Sequence, residues 1–212
     1  MNLNFLKTQF FLIATLAVAS ASTASAQTYR VTIQNLTKNQ TFQGIHTRIH
    51  GSRTPLFQTG ELLPESSLSF FRFVQFQTEP ESISLPSGGI LPLEVRGRKR
   101  SKFFSWISPL HATDDGFVGI NSVRLPTKRN KVVTVYAKVY DAGLFENTES
   151  CEDNTILTSL RPPEECSQEI KEVTLQPKNP IVIHNGIHGI GDLNSAKYDW
   201  RNPVAKVTIR KL

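Results

Sequence analysis

Three aspartates in two short stretches carry the side chains best suited to chemistry in this sequence. Asp114 and Asp115 lie in "TDDGFVG", directly before an apolar pair, and Asp141 lies in "YDAG". Adjacent carboxylates repel each other unless a cation or water lies between them. The glycines Gly116 and Gly143 let the backbone turn sharply beside them and offer carbonyl oxygens. The two stretches together therefore indicate a group of oxygen ligands.

The strands beside these aspartates are predicted to pair as a hairpin. Residues Phe117–Leu125 and Val132–Tyr140 have strand patterns, and the loop "PTKRNK" between them is of hairpin length. A loop centred between residues 128 and 129 gives ladder partners whose numbers sum to about 257. Asp115 then lies opposite residue 142, next to Asp141. Opposed residues are about 5 Å apart, so both carboxylates should reach one ion.

The ligand type decides which ion these residues favour. Carboxylates and backbone carbonyls are hard oxygen ligands, and no cysteine or histidine is adjacent to them, which favours Ca²⁺ before Mg²⁺ outside the cell. The alternative is that Asp114, Asp115 and Asp141 close turns by accepting backbone hydrogen bonds. The residues alone favour neither interpretation.

The N-terminus has the pattern of a secretory signal peptide over residues 1–26. Lys7 precedes an apolar run, Phe10–Ala19, and small residues follow, ending in "ASA". The mature chain, residues 27–212, is expected to form one domain of 212 − 26 = 186 residues. No second long apolar segment follows, so no transmembrane segment is expected. The predicted location is secreted, either extracellular or periplasmic.

Two cysteines remain after removal of the predicted signal peptide. An even number of cysteines in an exported chain favours a disulfide, here between Cys151 and Cys166. Closing the polar loop between them would stabilise the fold by roughly 3 kcal/mol. Two free thiols are the alternative.

The rest of the chain favours β-structure. Proline, glycine and asparagine separate short apolar segments, and no dozen-residue stretch has a helical spacing without a breaker. The sequence therefore predicts an all-β fold, an antiparallel β-sandwich of eight or nine strands, with a barrel as the alternative. Besides the hairpin, the predicted strands begin at Tyr29, Ser67, Leu91, Phe103, Lys171, Pro180 and Val204.

A basic run, "RGRKRSK", concentrates positive charge. The formal net charge is +6, and it falls to +5 without Lys7. Export argues against nucleic acid as the partner, which leaves an anionic glycan or a lipid headgroup. A solvated loop is the alternative. A strand of about eight residues spans roughly 25 Å, so the run should lie at the end of the sandwich away from the aspartates. Its cations are Arg96, Arg98, Lys99, Arg100 and Lys102.

Four segments carry a resemblance to a known family. They are "YRVTIQNLTKNQTF" near the start, "TDDGFVGINSVRLP", "VYDAG" and "GIHGIGDLNSAKYDWRNPVAKVTI" at the end. Their order and spacing resemble the spondin N-terminal domain of F-spondin and mindin, in its bacterial branch, over nearly the whole mature chain. The resemblance implies an eight-stranded, C2-like antiparallel sandwich with a calcium ion at one edge.

The resemblance also implies particular metal ligands. The first two match Asp115 and Asp141, but the third acidic position is occupied by Phe145. Glu146, one residue later, a backbone carbonyl or a water would have to substitute, and Asp114 is a spare carboxylate. A partner-binding glutamate of the animal proteins corresponds to Glu94 in "LEV", where an ordinary exposed strand residue is the alternative.

The function implied is that of an exported, non-enzymatic calcium-binding module for adhesion to, or recognition of, a surface protein or anionic glycan. The alternative is a glycan-binding or glycan-hydrolysing protein that uses the Asp115 and Asp141 carboxylates. A transition-metal site at His184 and His188 is a weaker alternative, because the glycines between and after them disfavour a helix. No nucleophile or phosphate-loop motif is present.

Overall fold

The chain folds as an antiparallel all-β structure, which confirms the predicted fold class. The computed structural model describes residues 26–51, 55–76, 83–113, 115–150 and 175–212. Within these ranges, the strands are β1 Gln27–Asn35, β2 Phe42–Gln43, β3 His46–His50, β4 Ser84–Leu85, β5 Ile90–Gly97, β6 Phe103–Pro109, β7 Gly116–Arg124, β8 Val132–Asp141, β9 Val182–Ile183 and β10 Ala205–Lys211. The helices are α1 Glu65–Phe76 and α2 Ser195–Tyr198.

One large sheet contains eight of these strands. Its order is β3-β6-β7-β8-β10-β1-β5, with β9 added beside β8, and β2 pairs separately with β4. The end strands β3 and β5 contact each other, so the sheet is nearly closed into a barrel. Closure of this kind covers strand edges that would otherwise offer unpaired backbone groups to another chain.

The period-two pattern of β1 explains how the sheet covers its core. Tyr29, Val31 and Ile33 are buried, whereas Arg30, between the first two, is exposed. β1 pairs with β10 on one side and with β5 on the other, so Val31 lies between Ile209 and Leu93. Side chains of successive residues point to opposite faces of a strand, and the apolar face therefore points inward.

Two apolar clusters fill the molecule. The first lies between the facing halves of the curled sheet and includes the fully buried Trp106 and Phe104 of β6. The second lies outside β6 and β7, beneath the segment that contains α1, and includes Phe57, Leu68 and Phe117. Phe117 thus belongs to the second cluster while its neighbour Val118 belongs to the first, as strand alternation requires.

The prediction of a strand beginning at Ser67 is wrong, because these residues lie in α1. The carbonyl of Pro64 accepts hydrogen bonds from the backbone amides of Ser67 at 2.8 Å and Leu68 at 2.9 Å, which starts the helix. Leu68 and Phe71, three residues apart, are both buried in the second cluster. The aromatic composition favours a strand locally. Burial of one helical face against the sheet overrides that preference.

Several sequence predictions concern residues that lie wholly or partly outside the described ranges. The signal peptide lies outside the described residues except for Ala26, and Cys151 and Cys166 lie outside them entirely. Of the strand predicted from Lys171, only its last two residues are described, and they are not in a strand. No helix among the described residues is long and apolar enough to cross a membrane.

Candidate functional site

The β7–β8 hairpin has the register predicted from the sequence. Gly116 faces Asp141 and Phe117 faces Tyr140, so the numbers of the partners sum to 257. Ala142 N donates to the carbonyl of Asp115 at 3.3 Å, which carries the pairing one residue further. The hairpin therefore brings Asp115, just before β7, and Asp141, at the end of β8, to one edge of the sheet.

Asp115 joins the two sides of this edge. Its side chain is 1% exposed. Oδ2 accepts hydrogen bonds from the backbone amides of Leu144 at 2.7 Å and Phe145 at 3.2 Å. Hydrogen bonds from amides to an ionised carboxylate are stronger than neutral ones. Asp115 therefore fixes the loop that follows β8.

Asp141 organises the same loop from its other side. Oδ1 accepts a hydrogen bond from Gly143 N at 2.7 Å, two residues on, and Oδ2 accepts one from the side-chain amide of Asn147. These contacts are of the turn-capping kind that was the alternative to a metal site. Among the described residues, no lysine or arginine forms an ion pair with Asp141.

Gly143 permits this loop because it adopts a positive φ and leaves room for a neighbouring backbone segment to approach closely. Its φ is +71°, and a Cβ built on it would lie 2.0 Å from the carbonyl oxygen of Asn179. The carbonyl of Gly143 in turn accepts hydrogen bonds from the amides of Lys178 at 2.8 Å and Asn179 at 3.0 Å. The loop after β8 and the segment before β9 are therefore locked together.

Glu149 is a third buried carboxylate, which was not predicted from the sequence. It is 5% exposed and accepts hydrogen bonds from three successive backbone amides, those of His188 at 2.6 Å, Gly189 at 2.6 Å and Ile190 at 3.0 Å. Successive amides of this kind form a concave anion-binding nest. The motif "GIHGIG" was the available signal, because glycines allow a loop to point several amides one way. Gly191 completes the fit, since a Cβ on it would lie 2.6 Å from the Glu149 carbonyl.

A cavity of about 190 Å³ lies beside these carboxylates, and Asp141, Glu149 and His184 line it. Burial lowers the pKa of His184. This effect is larger than that of the nearby carboxylates of Asp141, Glu149 and Asp199, which raises the pKa. His184 Nδ1 accepts a hydrogen bond from Gly186 N at 3.1 Å, so the proton of the neutral ring is on Nε2. The ring packs against Trp200, with centroids 5.0 Å apart. His184 therefore acts as a loop hydrogen-bonding residue.

The remaining residues at or near the predicted ligand positions differ in their surroundings. Phe145 contributes its backbone amide to Asp115 and packs its ring against the second cluster, whereas Glu146 is exposed. Asp114 lies outside the described residues. In the described part of the chain, no three His, Cys, Asp or Glu side chains are grouped closely enough to hold a metal ion. Asn147, which contacts Asp141, is a further oxygen-bearing side chain that was not predicted from the sequence.

The basic run lies at the opposite end of β6 from the aspartates. It occupies the end of β5 and the turn before β6, whereas Asp115 follows the far end of β6. Sheet pairing adds cations from other segments, because Phe103 pairs with Arg124 and the start of β8 pairs with the end of β10. The cations gathered at this end, here called the basic end, are Arg96, Arg98, Lys99, Arg100, Lys102, Arg124, Lys128, Arg129, Lys131, Arg210 and Lys211.

Glu94 lies on β5, opposite Arg30 of β1. Its Oε1 is 3.1 Å from Arg30 Nη2, and both side chains are about half exposed, at 53% and 54%. An exposed pair of this kind contributes little to stability. Glu94 is therefore accessible, but its charge is already partly compensated by Arg30.

No protein-family model matches this chain. No curated protein matches it either.

Proposed function

We propose that this protein is an exported, non-enzymatic β-module of the spondin type, whose acidic edge is held by Ca²⁺ and whose surface recognises a surface protein or an anionic glycan. The observation that carries the proposal is the meeting of Asp115 and Asp141, which are 1% and 8% exposed, at one edge of the β7–β8 hairpin. Buried carboxylates are costly unless they are hydrogen-bonded or paired with a cation.

The oxygen donors at this edge are of the type that a hard cation prefers. Asp141 retains acceptor capacity beyond its two hydrogen bonds, because a carboxylate has about four lone-pair positions. Rotation of the Asn147 amide exchanges its nitrogen and oxygen, so the same side chain can present an oxygen ligand. Asp115, Asp141 and Asn147 would hold the ion, with carbonyls or water completing the shell, as Ca²⁺ accepts. Bound Ca²⁺ would neutralise the two buried charges and join β7 to the loop after β8.

A non-enzymatic role is supported by the burial of Asp115. A glycosidase requires both of its carboxylates to face the substrate. A side chain that is 1% exposed and accepts hydrogen bonds from two backbone amides is poorly suited to that task. The test is incubation with polysaccharides, in which we expect no turnover. Hydrolysis that is abolished by Asp115→Asn would favour the enzymatic alternative instead.

Calcium binding is tested by thermal unfolding in chelator and in millimolar Ca²⁺. A ligand that binds only the folded state adds about 2.7 kcal/mol at 100 times its dissociation constant. For a domain of this size we expect a rise in Tm of roughly 5–10 °C. Asp141→Asn should remove most of this rise, whereas the control Glu146→Gln, at an exposed position, should keep it. An identical wild-type Tm in chelator and in Ca²⁺ would overturn the calcium proposal.

The surface that we propose for an anionic glycan is the basic end. The sequence indicated only the run from Arg96 to Lys102, and the additional cations at the same end favour a polyanion over a solvated loop. The test is retention on immobilised heparin, which should fall as the salt concentration rises because exposed charges are screened over about 8 Å at physiological ionic strength. Retention that ignores salt would contradict an electrostatic contact.

A further inference from the structure

A groove at the basic end is lined, among the described residues, by four cationic residues and by no acidic one. Its volume is about 190 Å³. The cations come from three separate parts of the fold: Lys99 and Lys102 before β6, Arg124 at the end of β7 and Lys211 at the end of β10. Tertiary structure, and not sequence proximity, therefore builds this groove.

Hydrogen bonds fix the backbone that carries these cations. Leu125 N donates to the carbonyl of Lys102 at 2.8 Å, and Asn130 N donates to the carbonyl of Lys211 at 3.0 Å. Gln27 Nε2 donates to the carbonyl of Lys99 at 3.4 Å. Because the supporting segments are hydrogen-bonded, the backbone positions of these residues are held at one end of the sheet without a ligand. An anion that enters the groove relieves repulsion between the cations around it.

The four cations remain available for a ligand. Among the described residues, none of them forms an ion pair, and the acidic residue of β5, Glu94, is paired with Arg30. Lys211 Nζ donates to the carbonyl of Thr127 at 3.0 Å, which uses one of the three donors of an ammonium group. The groove therefore offers at least three cations with all of their donors and a fourth with two.

We propose that this groove binds a sulfate or phosphate ester group of an anionic polysaccharide. An ester anion of either kind presents terminal oxygens in several directions, which suits cations that approach from three elements, and arginine and lysine both bind such groups. The groove is several times the roughly 30 Å³ that one water occupies in the liquid, so it has room for the group and part of its sugar. This inference rests on the glycan partner proposed above and names the group bound and the residues that bind it.

The test compares two charge-matched double variants by isothermal titration calorimetry with a heparin octasaccharide. Lys99→Gln with Lys102→Gln removes two groove cations, whereas Arg98→Gln with Arg100→Gln removes two cations of the same turn that do not line the groove. We expect the groove pair to weaken binding about tenfold, because two charge-assisted contacts are lost, and the outer pair to weaken it less than about threefold through general charge. Arg124→Gln, on a different strand, should also weaken binding more than the outer pair does.

The outcomes separate this proposal from the earlier ones. Equal losses in the two double variants would overturn the groove while leaving the basic end as a diffuse polyanion surface. An absence of octasaccharide binding by the wild-type protein, even at low salt, would overturn both.

Titration with a phosphomannan oligosaccharide tests whether the groove binds a phosphate ester. Binding to phosphatidylglycerol vesicles without binding to either oligosaccharide would overturn the proposal that the bound group belongs to a glycan. Chelator should leave binding unchanged, since Asp141 lies at the other end of the sheet, so failure of the calcium proposal leaves this one intact.

Discussion

Asp115 Oδ2 accepts a hydrogen bond from Leu144 N at 2.7 Å, across the open end of the β7–β8 hairpin. This contact joins a residue that precedes β7 to the loop that follows β8. It places a carboxyl oxygen where backbone amides already point, so the loop is organised around this side chain even without a metal. Ca²⁺ would then reinforce an existing turn.

Replacement of Asp115 should therefore destabilise the protein in chelator as well as in calcium. Asp115→Asn loses the charge that two amides recognise, and we expect a decrease of about 1–3 kcal/mol in the free energy of unfolding. Urea denaturation in chelator measures it. The control Glu146→Gln changes an exposed carboxylate of the same loop and should stay within about 0.5 kcal/mol. Equal stability of the two variants would contradict a contribution of the two amide hydrogen bonds to stability.

Glu149 should hold the loop from His188 to Ile190 in place. Glu149→Gln replaces one acceptor oxygen by a donor facing a backbone amide, so at least one of the three hydrogen bonds is lost at a cost of about 1–3 kcal/mol. Hydrogen exchange at these three amides should accelerate more than exchange at the amides of β1, because the loop opens locally. Uniform acceleration throughout the protein would instead indicate global destabilisation alone.

Two glycines with positive φ provide a matched test of steric fit. Gly143 has φ +71° and a Cβ on it would lie 2.0 Å from Asn179 O, whereas Gly60 has φ +88° and nothing within 4 Å of its Cβ position. Both alanine variants incur the strain of positive φ, about 1 kcal/mol. Gly143→Ala should lower the free energy of unfolding by about 2 kcal/mol more than Gly60→Ala, because backbone atoms must move. Chemical denaturation of the two variants checks the difference, and similar losses would contradict the close approach.

Stability should fall as the pH is lowered below the ordinary histidine pKa. Burial, with a smaller contribution from the charge of Arg48, lowers the pKa of His46 from 6.5 in the folded state. The unfolded chain therefore binds a proton at a pH where the folded chain does not, so stability is lost from about pH 6.5 downward through the lower folded pKa. The pKa of His184 is lowered too and acts in the same direction.

The variant His46→Phe isolates the contribution of His46. It keeps an aromatic ring against Phe70, whose ring centroid is 4.8 Å from that of His46, but it cannot bind a proton. Urea denaturation between pH 7 and pH 5 should show a shallower loss of stability for this variant than for the wild-type protein. Identical pH profiles would mean that His46 keeps its ordinary pKa in the folded state.

Much of the sheet could be predicted from the sequence, and the helix could not. The alternation of β1, β8 and β10 and the length of the loop after β7 set both strand type and the hairpin register. In α1 the local preference of phenylalanine and valine favours a strand, whereas these residues form a helix. Only contact of Leu68 and Phe71 with the second cluster makes the helix favourable there.

The sequence by itself determined the all-β fold, the meeting of Asp115 with Asp141 and the position of the run from Arg96 to Lys102, because each depends on strand period, loop length or neighbouring residues. Tertiary structure alone decided that Glu149 lies in the nest at His188 and that Lys211 joins Lys99 in one groove. These pairs are separated by long stretches of chain, and their contact depends on which strands become neighbours when the sheet curls towards closure. Local patterns carry no information about that choice, since the burial that drives it belongs to the whole sheet.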